Sequence, residues 1–310
     1  MTQIINSLAP IFLVIALGAA LARGGLLTAS LVKGVNRLVY WVALPALLYY
    51  DTASANYHGT GVGRLVLVMF AATVPVVLLG VIYGRLARMN AATAGTFVHV
   101  AMRGNLTYVG LPILLYLAAG GGPHAPRPTA IILAFAPFLV FQNVISILLL
   151  LVGREPVGWS MARSVTRGIV TNPLLVAVGL GLLSYVVGLR LPLVLARSLE
   201  ALGQIASPLS LLGIGGSLLL LPVREHWGNA AVAAVLKVAG VPFCGWCFGR
   251  WAGLPPNELI VALVFLATPT AVASFPLVSQ LEGDEPLCST GIVLSTLFSA
   301  VSLAVVVGCF

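Results

Sequence analysis

The sequence predicts an all-α integral membrane protein of ten transmembrane helices, built as two inverted five-helix repeats whose fourth and ninth helices are broken. Composition, a repeated register of glycine and proline, and a proline inside each of two apolar runs predict it. Of 310 residues, 60% are hydrophobic and only 8% charged, with mean hydropathy +1.08. A soluble domain averages about 25% charged residues. Apolar runs of about 20 residues bounded by charge or Gly/Pro clusters mark spans. They fall at Ile4–Ala22, Leu31–Tyr50, Leu65–Tyr83, Thr93–Ala118, Thr129–Val152, Gly168–Gly188, Leu195–Leu221, Asn229–Trp251, Asn257–Leu281 and Cys288–Cys309.

The first run ends in Ala20-Leu21-Ala22, which has the small residues of a cleavage site, but no lysine or arginine precedes it. A secretory signal carries a basic region there, so this run is expected to remain as a helix. The fourth run contains Pro112, in Asn105-Leu-Thr-Tyr-Val-Gly-Leu-Pro112, and the ninth contains Pro276, in Pro269-Thr-Ala-Val-Ala-Ser-Phe-Pro276. A proline inside a helix removes one N–H and collides with the preceding turn, leaving carbonyls that lipid cannot satisfy. Interrupted helices at corresponding places in two halves of a membrane protein mark a transporter's binding site.

The halves do correspond. An offset of 163 carries Pro10 and Gly18 onto Pro173 and Gly181, and Pro45 onto Pro208. At 165, Gly80, Gly84 and Arg85 meet Gly245, Gly249 and Arg250, and at 164 Pro112 meets Pro276. The order and nearly constant offset give repeats at 1–153 and 168–310, joined by a polar cytoplasmic linker at 154–167. Five spans per repeat force the second copy to be upside down.

Orientation follows from lysine and arginine. With both termini outside, nine of the sixteen basic residues lie in inner segments, five in outer ones, and Arg103 and Lys237 within spans. Short loops point to multi-pass insertion in a cell inner membrane, and they leave no room for a soluble catalytic or signalling domain. The net charge of +8 is dispersed over loop ends, which argues against nucleic acid as a partner. Cys244 and Cys247 have redox spacing but no His or acidic neighbour, and His58, His99, His124 and His226 are scattered. No metal, cofactor or enzymatic activity is expected on those grounds.

All eight acidic residues fall at span ends or in connections, whereas Lys237, Arg103 and His99 fall within spans. A mid-membrane charge costs upward of about 2.5–3.5 kcal/mol, so these three are candidates for charge recognition or coupling. Lys237 is 13 residues from both Arg224 and Arg250, about 20 Å of helix. It either meets an anion or caps carbonyls freed at Pro242 or on a neighbouring broken helix. Arg103 can contact substrate or reach headgroups, and His99, four residues earlier, can sense protons. Asn105 precedes the expected break, where its amide either binds a carboxylate or satisfies loose backbone beside a half-helix N-terminus. Thr107 and Tyr108 share that stretch; Thr268, Pro269 and Thr270 form its second-half counterpart. Gln142 and Asn143 put two amides near the middle of span five, for substrate or for helix-to-helix hydrogen bonds.

Met102-Arg103-Gly104-Asn105-Leu-Thr-Tyr-Val-Gly110-Leu111-Pro112 resembles the fourth-helix signature of the auxin efflux carrier family, and Ala267-Thr268-Pro269-Thr270 its ninth-helix pattern. Asn36 through Leu44-Pro45, and Ser207-Pro208 with Gly213 to Gly216, are similar to it as well. The resemblance spans essentially the whole chain. It implies a bacterial member of that family, related in fold to plant auxin carriers, bile-acid symporters and sodium/proton antiporters. Spans one, two, six and seven would form a scaffold carrying a homodimer contact; spans three to five and eight to ten would form a transport domain with crossed, broken helices. The expected function is elevator-type alternating access for small organic anions, mono- or dicarboxylates such as malonate, malate or auxin-like acids. The missing mid-membrane carboxylates favour uniport driven by membrane potential. A proton link through substrate, His99 or Lys237 ranks second, followed by sodium-coupled symport or antiport and a membrane sensor that moves nothing.

Overall fold

A computed structural model describes residues 2–54, 62–121, 124–151, 163, 166–167, 170–189, 191–220 and 226–310. The expected linker at 154–167 lies outside the described residues except at three positions. The helices are α1 (Thr2–Arg23), α2 (Ala29–Ser54), α3 (Val62–Leu86), α4 (Ala91–Met102), α5 (Leu106–Gly120) and α6 (Pro128–Leu151). They continue as α7 (Pro173–Val186), α8 (Leu193–Leu219), α9 (Trp227–Trp251), α10 (Pro256–Ala267), α11 (Ser274–Gln280) and α12 (Glu285–Gly308). Among the described residues there is no strand. Six helices there, α2, α3, α6, α8, α9 and α12, are long and apolar enough to cross a membrane. Shorter apolar helices, α4, α5, α7 and α10 among them, accompany these. The chain is a multi-pass membrane protein in its composition and its helices.

Two runs are interrupted, and the interruptions meet. Between α4 and α5 the chain is extended at Arg103 and non-helical through Asn105, and between α10 and α11 it is non-helical from Thr268 to Ala273. The two segments cross antiparallel, pairing Gly104 with Thr270. Asn105 N–H donates to the Pro269 carbonyl at 2.7 Å and Ala271 N–H to the Arg103 carbonyl at 3.3 Å. Backbone stripped of helical partners is thus satisfied by other stripped backbone. A Cβ on Gly104 would sit 2.5 Å from Thr268 Oγ1, so the approach requires glycine.

The expected break points, Pro112 and Pro276, need correction. Both prolines lie inside helix, in α5 and α11, and the chain parts several residues ahead of each. Pro112 is absorbed by a π-turn over Leu106–Gly110, in which Leu111 N–H reaches back five residues to the Leu106 carbonyl. The same device precedes Pro45, at Val39–Ala43, and Pro242, at Leu236–Gly240. The wider turn displaces the carbonyl with which the proline ring would collide.

Packing sorts the helices into two groups. In one, α1 lies along α8, and α2 lies against α7 and α8. Gly18 and Gly215 let α1 and α8 touch through backbone, since a Cβ on either would overlap a main-chain carbonyl of the other helix. At α7, a Cβ on Gly181 would stand 2.7 Å from Thr52 Cβ and 2.9 Å from the Tyr49 carbonyl. In the other group α9 packs on α3, α4, α10 and α12, and α6 on α3 and α4. Stacked Phe70 and Phe141, 4.5 Å between centroids, join α3 to α6.

Candidate functional site

Where the two groups adjoin, a cavity of about 380 Å³ opens beside the crossing. From the first group it is lined by Asn36, Arg37, Tyr40 and Trp41 of α2 and by Asn172 and Leu174 at the start of α7. From the second it is lined by 103–108, by Leu139, Gln142 and Asn143 of α6, and by Ala271 and Ala273. Among the described residues two arginines face it and none of those lining it is acidic.

Each lining group is placed by local structure. Arg103 is the residue at which α4 stops, its N–H still bonded to the His99 carbonyl while its own φ and ψ are extended. Its Nη2 donates to Asn143 Oδ1 at 2.9 Å, and its buried Nη1 has no hydrogen-bond partner. Asn105 caps α5, with its Oδ1 accepting from Tyr108 N–H at 3.3 Å. The α5 N-terminus, with its partial positive charge, therefore opens at the cavity through Leu106 and Thr107. Asn172 does the same for α7, accepting from the N–H groups of Leu174 and Leu175. Arginine guanidinium and helix N-termini are both anion-binding groups, so the arrangement suits a carboxylate.

Gln142 is spent on the break. Its Oε1 accepts from Gly104 N–H at 3.1 Å and its Nε2 donates to the Met102 carbonyl at 3.4 Å. Tyr108 lines the cavity and its hydroxyl donates to the Asn36 carbonyl at 3.3 Å, joining the second group to the first.

The structure therefore brings Arg103, Asn105, Thr107, Tyr108, Gln142 and Asn143 to one cavity. Thr268, Pro269 and Thr270 lie behind it, within the crossing. Thr268 Oγ1 donates to the Phe265 carbonyl, Pro269 accepts from Asn105, and Thr270 Oγ1 donates to the Val100 carbonyl at 2.9 Å. Lys237 is also apart from it. Fully buried in its π-turn, its Nζ donates to the Leu266 carbonyl at 2.6 Å, at the C-terminal end of α10. Of the two roles weighed for it, the carbonyl cap on a neighbouring broken helix is the one this contact fits. A cation is favourable there because helix C-termini carry partial negative charge. His99 is buried without contact to the cavity, and neither of its ring nitrogens is hydrogen-bonded. Sequence reasoning missed Asn36, Arg37, Tyr40, Trp41 and Asn172 as lining residues. In the sequence Arg37 is one of the basic residues near a span end, and no periodicity tells which face of α2 meets the crossing.

Comparison with known proteins agrees with this picture. A family model described as "Membrane transport protein" matches residues 3–152 and 139–307. A protein of Rhizobium meliloti (strain 1021) named "Putative malonate transporter" is 24% identical over 305 residues, covering 98% of this chain and 94% of the relative. The family is one of transporters rather than enzymes, which implies a small-molecule substrate and a lipid environment. With the model matched along nearly its full length, the chain belongs to the membrane transport protein family, the auxin efflux carriers whose helix-four signature it bears.

Proposed function

We propose that this chain carries small organic anions, mono- or dicarboxylates of the size of malonate or malate, by alternating access. The observation that carries the reading is the cavity's charge: Arg37, Arg103 and the α5 N-terminus converge on it, with no carboxylate among the described residues that line it. A hard cation prefers carboxylate oxygens, so the same lining disfavours a sodium or proton antiporter. The relative named as a malonate transporter supports a dicarboxylate.

The cavity's position supports an elevator. One wall belongs to the α1, α2, α7, α8 group, which we assign as scaffold and as the homodimer contact. The opposite wall belongs to the remaining helices, assigned as the moving domain. Ten crossings in two inverted repeats, 1–153 and 168–310, account for the paired interruptions. They also account for the equivalence of Gly18 and Gly181, each at a close approach of its helix to a scaffold partner. Both termini are placed outside a cell inner membrane.

Uptake of labelled malonate, malate, a monocarboxylate and an aromatic carboxylate into proteoliposomes under imposed potential tests the proposal. Saturable flux of at least one, competed by the others, is expected. Intact vesicles that move none of them would refute the organic-anion assignment.

A further inference from the structure

His99 is a buried imidazole with no assigned partner, and its surroundings give it a use. It lies in the last turn of α4, four residues before Arg103. On a helix, residues four apart share a face, with Cβ atoms about 5–6 Å apart. Full burial is the largest influence against a charge on it, the Ser146 backbone favours one, and two further opposing fields act. The partial negative charge of the α4 C-terminus favours a cationic imidazole, while the Arg103 guanidinium repels a second positive charge in a poorly screened interior. Arg103 also faces the cavity, and its buried Nη1 is unpartnered. Other titratable groups stand on the helices packed against α4, with the charged Arg64 and Arg85 on α3, Arg250 on α9 and Glu285 on α12 among them. Lys237 on α9 is bonded to Leu266, and Tyr83 on α3 donates to Asn229. Asp284 at the start of α12 accepts from Thr93 and Leu287, and Cys288 on α12 is a buried free thiol. On α6 the Ser146 hydroxyl is buried and unpartnered as well.

We propose that His99 takes up a proton when a dicarboxylate docks at Arg103. This rests on the organic-anion reading and deepens it. An incoming dianion cancels the guanidinium's repulsion and leaves an excess negative charge, so the imidazole and the α4 C-terminus then favour the same ionisation. Anion and proton bind with mutual assistance, as linkage requires. A dianion thereby crosses with one unit of its charge compensated, which lowers the cost of moving the loaded site through a membrane potential.

The experiment is calorimetric titration of the purified full-length protein with malonate. Buffers of different ionisation heat are used, between about pH 6.8 and 8.5, where carboxylates are fully ionised. Wild type is expected to take up close to one proton per malonate at the low end of this range, where Kd rises towards tenfold per pH unit, and both effects should fade together as pH passes the imidazole pKa of the complex. His99→Gln, which keeps a polar side chain, is expected to bind with no proton uptake and a pH-independent Kd. Malonate binding by wild type without proton uptake would overturn the inference and leave the organic-anion reading intact. So would a His99→Gln protein that retains the wild-type proton count. If the variant does not fold, the wild-type proton count alone decides. No binding of any carboxylate at any pH would overturn both readings.

Discussion

Arg103 joins a helix end, a cavity wall and an unpaired buried nitrogen in one residue. Replacing it with glutamine removes a charge-assisted hydrogen bond, usually worth about 1.5–3 kcal/mol. Arg103→Gln should therefore raise the malonate Kd by roughly 10- to 100-fold while the protein stays folded, measured by titration calorimetry. Lys237 should behave differently, because it touches backbone rather than the cavity. Lys237→Met should lower thermal stability in detergent through loss of a bond of about 1.5–3 kcal/mol, with little change in malonate affinity. A Kd that rises as far as in Arg103→Gln would return the lysine to the binding site. Both residues were legible from sequence as charges inside apolar runs; their division of labour was not. Lys237 is only one helical pass from the crossing, and which carbonyl it reaches depends on the docking of α9 on α10, a tertiary fact without a local pattern. Asn105 was equally open, and its side-chain oxygen bonds backbone as the cap of α5.

At the scale of elements, the helices follow the apolar runs closely because a run of this length and hydropathy has no alternative in a bilayer. The breaks were legible in kind and misplaced in position. Proline announces a disturbed helix, but a π-turn dissipates the clash within one turn, whereas the chain parts at Gly104, where only a glycine admits the crossing strand. The α1 and α8 contact likewise depends on residues without side chains. Gly215→Ala places a methyl against the Ile15 carbonyl. Overpacking of this kind costs typically about 1–3 kcal/mol, so a lower Tm is expected. Gly228→Ala, where the same methyl meets nothing, serves as the control.

For the whole molecule, the proposed orientation makes a labelling prediction. In a background without native cysteines, His124→Cys, between α5 and α6, should react with a membrane-impermeant thiol reagent on intact cells. Arg88→Cys, between α3 and α4, should react only after lysis; the reverse pattern would invert the topology. The proposed motion makes another. Tyr108 and Asn36 join the two helix groups through one hydrogen bond, so Tyr108→Phe should change the maximal transport rate more than Kd in proteoliposomes. The family resemblance implies a scaffold and a transport domain, but no local pattern announces the cavity, since its walls come from five separate stretches of chain. Motion of one group against the other asks the helices along the seam to flex, and the π-turns bear on that. In each, the proline contributes no N–H, so the carbonyl four residues before it, at Trp41, Tyr108 or Val238, has no α-helical donor. Val238 is served by the Ser302 hydroxyl; Trp41 and Tyr108 are cavity residues. A helix bends most cheaply where no rung of its ladder has to be broken, and under the proposed motion these positions would serve as pivots already cut into the two helices that line the cavity from opposite sides.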